Sequence, residues 1–580
     1  MKIALVTTPI RPNPTSFPPL GSLAIIQSLD EVGYTVEFLN IDYHRCDEKQ
    51  IFDWLTAGRY DVIVISAVVS TAYAYTKWLT EKIQVHSPRS IVLLGGNLAA
   101  SAEILLRKCN IQFCVIGDGE IPIKHLIKAL EGKQKPELKK SNFDHIEGVA
   151  FINDNDVFQF NGFGAKYDPE ELKFPNLKIL ENDGSLQHYI QEEPLSDETS
   201  RNVDAFLAKA KRKTMTVISS KGCVARCTFC HRFERGYRPK PVNQIMEYLN
   251  HIRKEYGITH IDFGDENFGA NKPLTRELAV ALGVNGFTWQ VAGVRVRTVN
   301  RDDLQLWRDN GCERAYFGIE SGSPKMLKIM EKGASLEQNI EALRSVSEVG
   351  ISTVIQLIVG MPGENDQTIS ETIEFLKKVS DFSRDWDGEV PSQFMSINYA
   401  QALPDTPLYE WAREHGFIGL DLDSEEEYLI AISDTDAYAE DHFINYTGFP
   451  LLKVLTWRPT ILAQVDAYHL GKTLGGEMSL FRVMLFYWNI IFKKTVLARS
   501  TQRSNGNGHA FKDGYFNIHR SFPIAPFYMN KFLRPFAYPI TALIVAFWRG
   551  GSLQNALKLM SEHIFWSLSS PTKAINVDEL

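Results

Sequence analysis

Residues 221–232 read Lys221-Gly222-Cys223-Val224-Ala225-Arg226-Cys227-Thr228-Phe229-Cys230-His231-Arg232. The three cysteines stand in C-x3-C-x2-C spacing, on a loop directly after a predicted strand over 214–219. Three thiolates on so tight a loop can bind three corners of a cubane iron–sulfur cluster. The fourth iron then has no protein ligand and is open to chelation by a substrate or cofactor. Structural zinc is the competing reading, but it wants four protein ligands, usually in separated C-x2-C pairs. His231 can serve as the fourth only with strained geometry, because it adjoins Cys230. The chain has 7 cysteines, and the others, Cys46, Cys109, Cys114 and Cys312, are scattered. That is not the supply of a disulfide scaffold. The start, Met1-Lys2-Ile3-Ala4-Leu5-Val6, reads as an immediate strand with no long apolar leader, so a reducing, cytoplasmic compartment is expected.

The strand before the cysteines opens a run of alternating strands and helices. Strands are predicted over 214–219, 258–264, 289–294, 314–319, 353–360 and 394–399. Helical spacing falls between them, as over 241–256, 301–310, 335–349 and 366–380. Six such units predict a partial (β/α)6 barrel of TIM type over residues 209–420, with its chemistry on loops after the strands. Residues 1–140 alternate in the same way, with strands over 3–7, 35–40, 62–66, 91–95 and 113–116 and helices over 20–32, 74–85 and 100–109. Continuous apolar strands separated by helices predict a doubly wound parallel sheet that binds ligands at its strand ends. Between the two, residues 141–208 read as a connector, with a hairpin over 149–153 and 157–161 and an acidic stretch over 191–199. Residues 421–580 read as a mainly helical C-terminal domain, aromatic in Phe481-Arg482-Val483-Met484-Leu485-Phe486-Tyr487-Trp488. Its apolar run over 535–548 is short of the roughly 20 residues needed to cross a bilayer. A chain of 580 residues accommodates such a domain series. Its net charge of -8 argues against a grip on nucleic-acid phosphates.

The cysteine string, with an aromatic at Phe229 just before the last cysteine, resembles the signature of the radical S-adenosylmethionine superfamily. The resemblance implies that Cys223, Cys227 and Cys230 ligate a [4Fe-4S] cluster. It further implies that S-adenosylmethionine chelates the open iron and is cleaved by one electron, giving a 5′-deoxyadenosyl radical. Later strand ends agree. Gly264-Asp265-Glu266 is similar to the segment that holds the methionyl ammonium, and carboxylates suit that role; which of Asp265 and Glu266 makes the contact stays open. Arg295, ending the third strand, can hold a carboxylate or form a surface ion pair. Gly318-Ile319-Glu320-Ser321-Gly322 resembles a Gly-x-Glu-Ser-Gly segment, placing Glu320 and Ser321 toward the cofactor. Gly360-Met361-Pro362-Gly363 offers close backbone approach to a nucleoside at Gly360 and Pro362. Ala402-Leu403-Pro404-Asp405-Thr406-Pro407-Leu408-Tyr409 completes the series.

Residues 1–140 carry a second resemblance. Thr7-Thr8-Pro9, Pro18-Pro19-Leu20-Gly21, Ser66-Ala67-Val68-Val69-Ser70-Thr71, Leu94-Gly95-Gly96-Asn97 and Gly117-Asp118-Gly119-Glu120 are similar to the cobalamin-binding domain that precedes the barrel in many such enzymes. By that resemblance Thr8, Pro19, Leu20, Gly21, Ser66, Ser70, Gly95, Gly96, Gly117, Gly119 and Glu120 contact cobalamin. No Asp-x-His-x-x-Gly string supplies a histidine to cobalt, and His44 lacks that context.

The whole is similar to cobalamin-dependent radical S-adenosylmethionine enzymes. This implies a methyltransferase acting on an unactivated carbon of a small or lipid-like metabolite. Radical oxidative cyclisation on the same machinery and a non-catalytic cobalamin or redox sensor are the alternatives. The implied partners are a substrate and a reductase, flavodoxin or ferredoxin that donates electrons. Lys493, Lys494, Arg499, Arg534 and Arg549 beside the apolar tail suit either a helical packing domain or a peripheral membrane contact.

Overall fold

The structure is a computed structural model that describes residues 1–11, 13–194, 211–231, 236–386, 391–433, 444–473, 485, 525–528, 532–548, 553–568 and 577. Of the tail features singled out above, Phe481–Trp488 apart from Leu485, together with Lys493, Lys494, Arg499 and Arg549, lies outside the described residues. The chain resolves into two compact units, one of residues 1–224, 230–266 and 402–435, the other of 225–229, 267–401 and 436–580. The residues beyond 421 therefore divide between the two units.

In the first unit, β1 (Ile3–Thr7), β2 (Val36–Leu39), β3 (Val62–Ser66), β4 (Ile91–Gly95) and β5 (Phe113–Val115) form a parallel sheet in the order β2-β1-β3-β4-β5. Ile3, Leu5, Val62, Val64, Ile91 and Leu93 are buried against the helices Leu20–Asp30 and Glu120–Leu130. Runs of β-branched and leucine residues with no polar alternation suit strands covered on both faces. The hairpin expected in the connector forms as β6 (Val149–Ile152) and β7 (Phe158–Phe160), and it continues this sheet in antiparallel sense. Chain direction across the sheet reverses at β1, from which the chain goes first to β2 and then back to β3. In open α/β sheets that reversal opens a ligand crevice beyond the strand C-termini.

The same unit holds β8 (Gln191–Pro194) antiparallel to β9 (Lys211–Val217), and β12 (Ile258–Phe263) parallel to β9. β8 was legible only as an acidic stretch. Its Glu192 stands in register opposite Lys213 of β9, and opposite charges across a strand pair are favourable. Between β9 and β12, β10 (Ser220–Lys221) pairs with β11 (Arg238–Pro239) as a short antiparallel ribbon at both ends of the cysteine loop.

The second unit carries β13 (Thr288–Val294), β14 (Cys312–Glu320), β15 (Ile355–Val359) and β16 (Met395–Tyr399), parallel and hydrogen-bonded in that order. Their helices start on side-chain caps, with reciprocal capping boxes at Asn300, Ser335 and Asn365. Helix Trp457–Thr473 packs on helix Asp366–Ser380, where Ser380 bonds His469 Nδ1 at 2.8 Å. All six expected barrel strands are therefore formed, each followed by a helix. The α/β class, the doubly wound N-terminal sheet, the partial (β/α)6 barrel and the helical C-terminal region are all present. No helix among the described residues is long and apolar enough to cross a membrane.

The turn after β15 is built around a buried acid. Glu364 is 1% exposed, and its carboxyl accepts the Gly360 N–H at 2.5 Å. Burial outweighs the backbone donors of Gly360 and Met361 and pushes its pKa up from 4.5 to about 8. A raised acid pKa means that the folded state binds the extra proton. The stability contributed by that proton is therefore complete below the unfolded value and is lost as pH rises toward about 8. We expect the free energy of unfolding to fall with rising pH across this window, by up to ~1.4 kcal/mol per pH unit from this group, and the thermal midpoint to fall with it. Glu364→Gln, whose amide oxygen still accepts from Gly360, should flatten that slope; an unchanged slope would show that Glu364 is not its source.

Candidate active site and cofactor cleft

The edge of the first sheet opens into a cleft of about 530 Å³. Its walls are strand ends: Thr7 and Thr8 after β1, Asn40 after β2, Ser66 after β3, Gly95 and Gly96 after β4, and Gly117 to Glu120 after β5. Of the residues expected to contact cobalamin, Thr8, Pro19, Leu20, Gly21, Ser66, Gly95, Gly96, Gly117, Gly119 and Glu120 line it, while Ser70 is buried and does not line it. Gly96 has φ 93°, and a Cβ there would sit 2.3 Å from the Ala67 carbonyl oxygen. Gly96 is thus needed so that the β3 and β4 loops can close on each other, as they do through Ala67 N–H to Gly95 O and Leu98 N–H to Ala67 O. Gly21 differs: a Cβ on it meets nothing within 4 Å. No neighbour or backbone constraint demands a glycine there, and most residues favour a helix more than glycine does. Its bareness leaves room in the cleft. Thr8 Oγ1 is buried and has no partner among the described residues, a polar group left for a ligand to satisfy. A cradle of bare backbone with an unused hydroxyl fits a large flat cofactor.

Asn40, Asp42 and Thr15 also line the cleft and were not picked out from the sequence. Asp42 accepts from Ile10 N–H, Thr15 N–H and Thr15 Oγ1, which folds the 8–19 loop over the sheet edge. Asn40 accepts from Thr7 Oγ1 and donates to the Tyr189 hydroxyl. None of the described lining residues is a histidine, and His44 instead meets Asp183 at 3.1 Å.

The loop after β5 is held by charge. Lys221 and Arg238 are cross-strand partners on the β10–β11 ribbon, and both reach Asp118. Lys221 also pairs with Glu120 and itself lines the cleft. Beside them Lys240 donates to the carbonyls of Leu172 and Lys173, and burial lowers its pKa to about 7. Lys221 is two residues ahead of Cys223, so the start of the cysteine loop and the cleft share one ion cluster. A lone lysine has no motif, and only the fold reveals this pairing.

Cys223 is half-buried, Cys227 buried and Cys230 exposed. Among the described residues no three His, Cys, Asp or Glu side chains converge tightly enough to hold a single metal ion. His231 is kept neutral, its pKa lowered to about 4 by burial. Asp265 is buried and accepts from Ser219 N–H, Ser219 Oγ and Ser220 Oγ, so it staples the start of the cysteine loop to the end of β12. Glu266 is accessible, and its recess, then the neighbouring Asp265, raise its pKa. Of the two carboxylates, Glu266 is the one that accepts no hydrogen bond among the described residues. Gly264 packs against Thr216, where a Cβ would approach to 2.9 Å.

In the second unit, Arg295 donates to Cys227 Sγ at 3.4 Å. Glu320 has φ 65° and pairs with the buried Lys332 at 2.7 Å. Gly318 makes room for this pair, since a Cβ there would lie 2.5 Å from Glu320 Oε1 and 2.8 Å from Lys332 Nζ. Ser321 is buried and serves its own loop, accepting from Ser323 N–H at 3.1 Å. Phe229 is half-buried; Pro362 follows Gly360 in the turn held by Glu364. Asn267, fully buried, has an unused donor and an unused acceptor among the described residues, which a bound ligand or water would satisfy. Lys332 and Asn267 were missed in the sequence: Asn267 directly follows Gly264-Asp265-Glu266, whereas Lys332 stands ten residues beyond Gly322 with no motif of its own.

Comparison with known proteins agrees with this geometry. A family model described as the Radical SAM superfamily matches residues 217–376, and one described as a B12 binding domain matches residues 13–127. An uncharacterized methyltransferase of Pyrococcus horikoshii is 27% identical over 424 residues, covering 71% of this chain and 83% of that protein. The anaerobic magnesium-protoporphyrin IX monomethyl ester cyclase of Cereibacter sphaeroides is 24% identical over 415 residues, covering 69% of this chain and 61% of that protein. Among solved structures, the cobalamin-dependent S-adenosylmethionine radical enzyme OxsB, with aqua-cobalamin and S-adenosylmethionine bound, shares the fold at a TM-score of 0.60 and 18% identity. That match covers 98% of this chain and 84% of OxsB. The cofactors are accordingly a [4Fe-4S] cluster, S-adenosylmethionine and cobalamin. The chain thus carries a B12 binding domain followed by a Radical SAM domain, and is a cobalamin-dependent radical S-adenosylmethionine enzyme.

Proposed function

We propose that the chain is a methyltransferase acting on an unactivated carbon of a small or lipid-like metabolite. The observation that carries the reading is the cleft at the first sheet's switch point, whose wall residue Lys221 leads directly into the cysteine loop. The methyltransferase relative is also matched over a larger share of its length, 83%, than the cyclase, 61%. When bound, the cluster supplies the electron that cleaves the C–S bond of S-adenosylmethionine, and cobalamin supplies a carrier for the methyl group.

The chain's own residues take the other roles. Cys223, Cys227 and Cys230 hold the cluster. Glu266 accepts hydrogen bonds from the methionyl ammonium, while Asp265 keeps the loop in place. The buried Glu320–Lys332 pair and the Gly360–Glu364 contact fix the loops after β14 and β15, which meet the rest of the cofactor. Thr8, Gly21, Gly96 and Gly117 form the cradle for the corrin. Electrons come from a reductase, flavodoxin or ferredoxin.

A lipid-like substrate is favoured by the last two helices, Arg534–Trp548 and Leu553–Leu568, which pack on each other. Phe536, Ile540 and Leu543 on one, and Leu553, Leu557, Ile564 and Leu568 on the other, are exposed at helical spacing. Such faces lie in a membrane interface, with Arg534 and Lys558 available to anionic headgroups.

Three outcomes follow. Cys227→Ala, reconstituted anaerobically with iron and sulfide, should lack the cluster's charge-transfer absorbance and form no deoxyadenosine; undiminished formation would overturn the cluster assignment. Gly21→Leu should keep or raise the melting temperature yet weaken cobalamin binding at least ~10-fold by filling the cleft, by analogy with overpacking; unaltered binding would remove the cradle reading. Wild-type protein should float with anionic phospholipid vesicles and Leu557→Asp should not. Absence of wild-type flotation would count against the interfacial role.

A further inference from the structure

Arg295 has a use that the sequence does not suggest. At the end of β13, one arm of its guanidinium donates to the sulfur of Cys227, 3.4 Å away, and the other donates to the Lys332 carbonyl. Cys227 is 5% exposed. Its neighbour Thr228 is tied to the same turn, through its N–H to Met330 O at 3.2 Å and its hydroxyl to Ile329 O at 3.1 Å. Arg297 donates to Gly333 O at 2.8 Å. The turn 329–333 is therefore a platform gripped by both arginines and by the cysteine loop. Lys332 is neutralised by Glu320 at 2.7 Å, whereas Arg295 has no carboxylate at ion-pair distance among the described residues. The uncompensated cation beside Cys227 is Arg295.

We propose that Arg295 is a positioning residue that hydrogen-bonds the sulfur of Cys227 and raises the reduction potential of the cluster, rather than holding the carboxylate of S-adenosylmethionine. This rests on the cluster reading above. Reduction adds one electron, taken from a low-potential one-electron donor, to the group carrying that sulfur. A fixed positive charge and an N–H···S bond favour the more negative state. A guanidinium keeps its charge at every working pH.

The test uses the full-length reconstituted protein without S-adenosylmethionine, in a mediated redox titration with dithionite followed by electron paramagnetic resonance. Iron content is measured first. At the poise that half-reduces the wild-type cluster, Arg295→Gln should show a reduced fraction several-fold lower, and Arg295→Lys an intermediate one. Affinity of the oxidised protein for S-adenosylmethionine should stay within about twofold. Should Arg295→Gln fold but fail to hold iron, a role at Cys227 is supported and Arg295→Lys carries the titration. A wild-type potential in Arg295→Gln, with or without a tenfold loss of S-adenosylmethionine affinity, overturns the proposal. A wild-type protein that takes up no iron would instead overturn the cluster reading beneath it.

Discussion

A parallel strand is always re-entered from the same end, so every strand's C-terminus opens on one edge of its sheet. Most of the chemistry in this chain follows from that constraint. In the first sheet it gathers the ends of β1, β3, β4 and β5 around one cleft, and the reversal of direction at β1 keeps that cleft open. The cysteine loop and the segments at 264–266, 318–322 and 360–364 each stand on a turn that leaves a strand. Helix caps and buried aliphatic strands serve mainly to hold those edges still.

Within the first unit a single charge cluster links two of these edges. Asp118 and Glu120 sit in the loop after β5, and Lys221 and Arg238 sit on the ribbon that brackets the cysteine loop. Such partly buried pairs contribute little net stability, but removing one partner leaves an uncompensated charge and is costly. Their value here is registration: the cleft wall and the first residues of the cysteine loop have one geometry. Asp265 acts likewise, using a buried carboxylate to fix Ser219 and Ser220.

Much of this was legible in the sequence, for physical reasons. Apolar runs such as Val62–Ser66 and Ile91–Gly95 admit few other readings, and both strands form with those bounds. Glycine segments were legible because bare backbone serves either loop closure, as at Gly96, or ligand space, as at Gly21. The local pattern failed where partners are distant in sequence. β8 is a polar stretch until its basic opposite strand is known. Lys221, Lys332 and Asp42 carry no motif, and their roles appear only when folding brings Glu120, Glu320 and Thr15 to them. Glu320 and Ser321 were read as cofactor-facing from a string alone, and their hydrogen bonds run largely within the protein.

The central claim is that the chain is a radical methyltransferase, in which the cluster would supply the electron that cleaves S-adenosylmethionine and cobalamin would carry the methyl group. Anaerobic incubation of the reconstituted, reduced protein with methyl-labelled S-adenosylmethionine, with and without cobalamin, tests it most directly. With cobalamin, label should move into methylcobalamin and 5′-deoxyadenosine should also accumulate, while the Cys227→Ala protein forms no deoxyadenosine. Deoxyadenosine formation with no transfer of label to cobalamin would contradict the account.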